Sequence, residues 1–168
     1  MLLYQMKKIL FALSLFIAVG CSAQPPAIAP YKILKIDNSY TTNADLKKNK
    51  PTMLIYFAPD CSHCQKLVYD MKPKMNSFKD LQIVMVTFSD IKMVKPFYDE
   101  YKLASFPNIT IGSEGYGGSV QKFYQIRTTP FIAFYNTKGN LVKSYEKVPV
   151  MAELQESAAK AVKGENAK

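Results

Sequence analysis

The sequence predicts an α/β fold in which a central mixed β-sheet carries helices on both faces. Two nearly continuous apolar runs, at residues 52–57 and 81–88, are typical of buried central strands. Apolar residues at helical spacing follow each run. Two later strand-like runs, Phe131–Tyr135 and Leu141–Tyr145, flank a loop that contains Gly139, as expected for a hairpin. Strands that alternate with helices indicate a sheet covered on both sides.

The helices are predicted from apolar residues that recur every three or four positions. From Cys64 to Phe78 this spacing predicts a first helix, which Pro73 should kink because proline cannot complete the helical hydrogen bonds. Residues 91–101 predict a second helix, and residues 151–162, rich in Ala and Glu, predict a closing one. The other predicted elements are a first strand at 31–36, a polar turn or helix at 45–50, a short strand at 109–111 and a short helix at 120–126.

The first 23 residues have the layout of a secretory signal peptide. Two lysines at positions 7 and 8 precede an apolar run at 9–19, which is too short to span a bilayer comfortably. Residues 18–21 resemble a bacterial lipoprotein box, in which Cys21 would become the lipidated first residue of the mature protein. The alternative is ordinary cleavage after Ala23. We therefore expect an exported, periplasmic protein, which a membrane holds if Cys21 is acylated.

The rest of the chain predicts a single domain. Residues 24–30, with three prolines, predict a flexible tether, residues 31–163 the domain and residues 164–168 a disordered tail. Loss of the signal removes two lysines, so the net charge falls from +9 to +7. The lysines are scattered singly, which favours a solvated basic surface over a nucleic-acid site. Weak attraction to an anionic membrane or partner is the alternative.

The residues with the most evident chemistry are Cys61 and Cys64, where the strand at 52–57 passes into a helix. Two cysteines three residues apart on a helical turn can form a disulfide. At the helix start, Cys61 meets unpaired N–H groups that favour the thiolate. The sequence thus predicts Cys61 as the attacking thiol and Cys64 as the resolving one. A structural disulfide would usually close a longer loop, and a metal site needs more ligands than this pair and His63, so we expect no metal and no cofactor.

Two motifs resemble a known family. Residues 57–64 (Phe-Ala-Pro-Asp-Cys-Ser-His-Cys) resemble the active-site strand–turn–helix of thioredoxin-like proteins, and residues 128–130 (Thr-Thr-Pro) resemble the family's cis-proline signature. Residues 50–145 are similar in layout to the TlpA/ResA branch, whose bacterial members are exported and often membrane-tethered. The resemblance implies a thioredoxin fold and a cis Thr129–Pro130 bond that lies against the dithiol. It also implies that the Thr129 backbone pairs with an extended substrate chain.

The sequence departs from that family at positions that influence electron flow. Ile55 stands where thioredoxins carry a buried Asp, and Leu67 stands where members of the ResA branch can carry a Glu. Asp60 replaces the usual Trp; we interpret it as a helix cap in preference to a catalytic carboxylate. Its negative charge would also tune the dithiol, because a carboxylate beside Cys61 disfavours the thiolate. His63 resembles the histidine of DsbA-type oxidants, where a donor stabilises the thiolate. The alternative for His63 is a solvent-facing side chain with no electronic role.

The resulting hypothesis is a thiol–disulfide oxidoreductase that exchanges disulfides with exported proteins and with a redox partner. One alternative is a binding or redox-sensing module without turnover. A second is metal delivery, which the single histidine of the chain argues against. The sequence leaves open whether the protein oxidises or reduces its substrates.

Overall fold

The computed structural model describes residues 27–166 and arranges them as one seven-stranded sheet with four α-helices. The predicted signal peptide, with Cys21, lies outside the described residues. The strands are β1 (Lys32–Lys35), β2 (Tyr40–Thr42), β3 (Thr52–Tyr56), β4 (Gln82–Thr87), β5 (Ile109–Ser113), β6 (Phe131–Tyr135) and β7 (Leu141–Tyr145). The helices are α1 (Ser62–Met71), α2 (Ile91–Glu100), α3 (Ser119–Tyr124) and α4 (Met151–Lys163).

The sheet is mixed, as the sequence predicts, and its strand order is β2-β1-β5-β4-β3-β6-β7. The pairs β3–β4 and β4–β5 are parallel, while the other neighbours are antiparallel. The edge strand β2 was not predicted, because its three residues Tyr-Thr-Thr are too few to show a hydrophobic period. The predicted α/β fold with helices on both faces is confirmed.

Strand β3 lies at the centre and is buried on both faces. Met53 and Ile55 contribute to a core beneath α1, α2 and α4, whereas Leu54 and Tyr56 contribute to a second core with α3 and the N-terminal segment. Every residue of β3 is buried for this reason. The two-sided burial explains why its sequence is continuously apolar rather than alternating.

Helix α1 ends near the predicted kink. The amide of Lys72 still donates to the carbonyl of Val68, and the chain then continues as a 3-10 helix over residues 72–78 with Pro73 in its first turn. Proline is tolerated there because the first residues of a helix need no N–H donor. The kink that Pro73 predicts is therefore a change of helix type, and Met75 and Phe78 remain in the core.

The chain at 27–30, part of the predicted tether, packs against the second core. Ala29 is fully buried, and its amide donates to the Tyr124 hydroxyl at 2.9 Å. The Tyr124 and Tyr135 hydroxyls lie 2.6 Å apart, and Tyr135 donates to the carbonyl of Ala27 at 3.3 Å. Two buried tyrosines thus hold this segment where the proline content alone predicted a flexible linker.

Candidate active site

The dithiol lies at the edge of the sheet where β3 ends and β6 begins. Cys61 follows β3 after a four-residue loop, and Pro130 directly precedes β6. Because Tyr56 pairs with Phe131 in the antiparallel β3–β6 ladder, the two loops meet at the same edge. The Cys61 thiol contacts the carbonyl of Thr129 with 3.5 Å between sulfur and oxygen. The structure therefore brings together residues 68 positions apart, as the two predicted motifs require.

Three hydrogen bonds fix the loop that carries Cys61. The Phe57 amide donates to the carbonyl of Val86 at 2.9 Å, which extends the β3–β4 pairing beyond the strand. The Cys61 amide closes a turn by donating to the carbonyl of Ala58 at 3.1 Å. The Gln65 side chain then reaches back from α1 to the carbonyl of Pro59 at 2.9 Å. Sequence reasoning missed Gln65, because no local pattern shows which carbonyl its side chain meets.

Cys61 is the N-cap residue of α1 and is partly exposed. Partial burial opposes its ionisation, but hydrogen bonds from the Thr129 side chain, from Cys64 and from the backbone amides of Cys64 and His63 outweigh it, so the pKa of Cys61 is lowered. The contact with the Thr129 carbonyl exists only while Cys61 is protonated, since a thiolate cannot donate. The Thr129 side chain and the amides at the helix start favour the thiolate, and the contribution of the amides is the one that the position of Cys61 predicted.

Cys64 has the opposite environment. It is 1% exposed and belongs to the core that also contains Ile55 and Leu67. Burial raises the pKa of Cys64 to about 12, and hydrogen bonds from the Ala58 amide and the Thr129 side chain offset only part of this rise. Ile55 of β3 and Leu67 of α1 are both buried, so neither position supplies an acid or base near Cys64.

Asp60 and His63 are both exposed. The helix cap is Cys61, and among the described residues no side chain forms a capping hydrogen bond at this end of α1. The interpretation of Asp60 as the cap is therefore wrong, because the chain enters the helix one residue later. The contact of His63 with the thiol comes from its backbone amide, which any residue at this position would supply. Redox tuning by either side chain stays a prediction.

The Thr129–Pro130 peptide bond is cis, as the resemblance implies. Thr129 is half-buried and Pro130 is buried, while Thr128 and Arg127 are exposed beside them. The backbone of Thr129 is thus beside the Cys61 sulfur and next to exposed residues, where an extended chain could pair with it. Pairing with a substrate stays a prediction.

Within residues 27–166, no three His, Cys, Asp or Glu side chains cluster in a way that could hold a metal ion. None of the helices found there is long and apolar enough to cross a bilayer.

The fold and the paired cysteines together define a thioredoxin-fold dithiol protein. Residues 41–159 match the thioredoxin-like domain family, and the chain belongs to that family. The predicted relationship to thioredoxin-like proteins is confirmed.

Relatives and solved structures agree with this placement. A probable protein disulfide-isomerase A6 of Medicago sativa is 30% identical over 92 residues, which cover 54% of this chain and 25% of the relative. The chain therefore spans about a quarter of that protein. Among solved structures, a secreted Mycobacterium tuberculosis disulfide oxidoreductase homologous to E. coli DsbE has a TM-score of 0.63 at 19% identity, covering 77% of this chain and 94% of that one. The thioredoxin domain of a Bacteroides vulgatus thiol-disulfide oxidoreductase has a TM-score of 0.67 at 19% identity, covering 82% and 96%.

Proposed function

We propose that this protein is an extracytoplasmic thiol–disulfide oxidoreductase that exchanges disulfides with exported proteins through Cys61 and Cys64. The observation that carries the proposal is the unequal pair of thiols. Cys61 is partly exposed with a lowered pKa, whereas the pKa of the buried Cys64 is raised to about 12. A thiolate attacks disulfides and a buried thiol resolves the product, so the asymmetry fits two-step exchange.

In the reductive direction, the Cys61 thiolate attacks a substrate disulfide. A bond forms between Cys61 and one substrate sulfur, and the other substrate sulfur leaves as a thiolate. Cys64 then loses its proton and attacks Cys61, which forms the Cys61–Cys64 disulfide and releases the second substrate thiol. The Cys64 proton ends on the departing substrate sulfur, because Ile55 and Leu67 offer no base in the core they share with Cys64. Oxidation of a substrate is the reverse sequence.

Two observations support the extracytoplasmic location: residues 1–23 resemble a signal peptide, and one protein of similar structure is described as secreted. Acylation of Cys21 would add a membrane tether, and cleavage after Ala23 would release the domain into the periplasm. Binding or redox sensing without turnover remains the second candidate function. That function is favoured only if the Cys61–Cys64 disulfide forms but does not exchange with substrate thiols.

The decisive experiment is a trapping variant. Cys64→Ser removes the resolving thiol, so Cys61 should remain joined to its substrates and mixed disulfides with exported proteins should accumulate in cells. Non-reducing gels and mass spectrometry of the adducts measure this. The matched control is the Cys61→Ser, Cys64→Ser double variant, which should trap nothing. Adducts only with cytoplasmic proteins would contradict the location, and no adducts together with no turnover of a model disulfide would contradict the enzyme.

His63 should shift the redox balance only modestly. His63→Ala keeps the backbone amide that contacts Cys61 and removes only the exposed imidazole. A protonated imidazole favours the reduced thiolate form, so we expect the variant to have a more negative potential. The shift should be at most about 30 mV, which corresponds to one pKa unit in a two-electron couple.

Equilibration with glutathione buffers measures the potential of the dithiol. The companion variant Asp60→Asn removes a nearby negative charge and should shift the potential in the positive direction. A potential that stays unchanged in His63→Ala would mean that the imidazole has no role in redox tuning.

A further inference from the structure

The end of the sheet opposite the dithiol carries a cleft lined by Lys47, Lys48, Lys50 and Lys138. We propose that this cleft docks the protein on an anionic phospholipid surface and so holds the dithiol away from the membrane. The proposal rests on the proposed export of the protein and does not depend on thiol exchange.

The placement of the cleft follows from strand register. Thr52 and Gln82, at the starts of β3 and β4, lie in its wall together with Tyr135, at the end of β6. Thr52 pairs with Tyr135 at this end, and Tyr56 pairs with Phe131 at the dithiol end. Four residue steps of a strand separate these pairs, or about 13 Å before the loops are added. A flat surface that covers the cleft therefore leaves Cys61 on the far side of the domain.

The charged side chains that line the cleft are all positive. None of the residues that line it carries a carboxylate, and none of its four lysines belongs to an ion pair found in residues 27–166. Asp45 is the carboxylate closest in sequence to Lys47; it lies outside the lining of the cleft and accepts from the Thr42 amide at 2.8 Å. Four unpaired ammonium groups attract an anionic surface, and each lysine near such a surface strengthens binding about fivefold.

Two amide side chains, those of the half-buried Gln82 and the buried Asn136, hold both lysine-bearing loops in place. Gln82 accepts from the Lys47 amide at 2.9 Å and donates to the carbonyls of Lys47 and Lys50, both at 3.1 Å. Asn136, which is 1% exposed, accepts from the Lys138 amide at 2.9 Å. The backbone that presents the charges is therefore ordered before it meets a partner, which lowers the entropy cost of binding.

The course of the N-terminal chain points to a membrane as the occupant. Ile28 lines the cleft, and the tyrosine contacts described above hold Ala27 and Ala29 beside it. Cys21 lies six residues before Ala27 in the sequence, a span of at most about 22 Å. A lipid on Cys21 would therefore be joined to the domain at the cleft end of the sheet, which favours this end over the dithiol as the membrane-facing one.

The test uses the full exported chain with Cys21→Ala, so that no acyl chain contributes to binding. Sedimentation with vesicles of phosphatidylcholine and 30% phosphatidylglycerol should recover the protein at 50 mM salt and lose it at 500 mM, because salt screens exposed charges. Pure phosphatidylcholine vesicles should recover at least tenfold less protein. Equal recovery on both vesicles, or none on either, would overturn the proposal.

Charge-matched variants locate the binding surface. Replacing Lys47, Lys48, Lys50 and Lys138 by Gln should weaken binding to the anionic vesicles at least tenfold. Replacing Lys74, Lys92, Lys143 and Lys147 by Gln removes the same charge elsewhere and should weaken it less than threefold. Equal losses of binding in the two variants would show that binding depends on net charge alone and would overturn the assignment of the membrane site to the cleft. Lys138→Gln by itself should weaken binding to the anionic vesicles about fivefold. This single variant keeps the test valid if the fourfold variant does not fold.

Two further readouts separate the membrane from other ligands. Alkylation of Cys61 on bound vesicles should proceed within twofold of its rate in solution, since the dithiol faces away. A slowing of tenfold or more would place the membrane on the dithiol end and overturn the orientation. Millimolar glycerol phosphate should not release the protein; release would indicate a small-anion site instead of a surface. Turnover of a model disulfide, measured in solution on the same sample, reports the proposed enzyme function separately.

Discussion

Iodoacetamide should label Cys61 of the reduced protein at least about tenfold faster than Cys64 at pH 7. A thiol with a pKa of about 12 is ionised to about one part in 100,000 at this pH. A thiol with a pKa below 9.0 is ionised to about 1% or more. The ionised fractions thus differ about thousandfold. The Cys64 thiolate is more basic and so the better nucleophile, which reduces the expected difference in rate by about thirtyfold. The burial of Cys64, which is 1% exposed, slows its reaction further.

Peptide mass mapping measures both rates and also separates Cys21 from the pair. The rate at Cys61 should rise about tenfold per pH unit below its pKa and level off at a lower pH than that of an ordinary cysteine, because the pKa of Cys61 is lowered. Unfolding in urea is the matched control, since both cysteines should then react at similar rates. Faster labelling of Cys64 in the folded protein would reverse the roles assigned to the two thiols.

The sequence was informative where a residue pattern has one physical meaning. The continuous apolar run of β3 predicted a strand covered on both faces. The resemblance of residues 128–130 to a family signature, rather than the pattern alone, predicted the cis bond beside the dithiol. The edge strand β2 was missed because three residues carry no period. The packed segment before β1 was missed because proline content describes the local chain, whereas Tyr124 and Tyr135 bind it from about 100 residues away.

In the candidate site, too, some features could be predicted from the sequence and others could not. The difference between Cys61 and Cys64 follows from one helical turn and was predictable. The bond from Gln65 to Pro59 and the failure of Asp60 to cap the helix depend on where the loop turns, which is set by the Ala58–Cys61 turn and by β4. The basic cleft was also out of reach of the sequence, because the loop at 47–50 and the hairpin that carries Lys138 meet only after the sheet has formed.

Strand β5 contains a glycine whose replacement should destabilise the fold by about 1–3 kcal/mol, the usual cost of forcing atoms into a packed region. A Cβ atom at Gly112 would lie 2.6 Å from the carbonyl oxygen of Leu34 and 3.2 Å from the Cβ of Ile33. The clash is with backbone, and β1 is held from its other side because Leu34 also pairs with Tyr40 of β2. The Gly112→Ala variant must therefore push β1 away from β5.

Urea unfolding of the reduced protein should give a lower midpoint for Gly112→Ala and a change within about 0.5 kcal/mol for the matched control Gly117→Ala. Gly117 is exposed, and a Cβ there would meet no atom of the described residues within 4 Å. Because α1 packs in the core on the far face of the sheet from Ile33, the folded Gly112→Ala protein should keep the faster labelling of Cys61 over Cys64. Equal stability of the two variants would contradict the close β1–β5 approach, and loss of the labelling preference in the folded state would show that this edge of the sheet supports the dithiol.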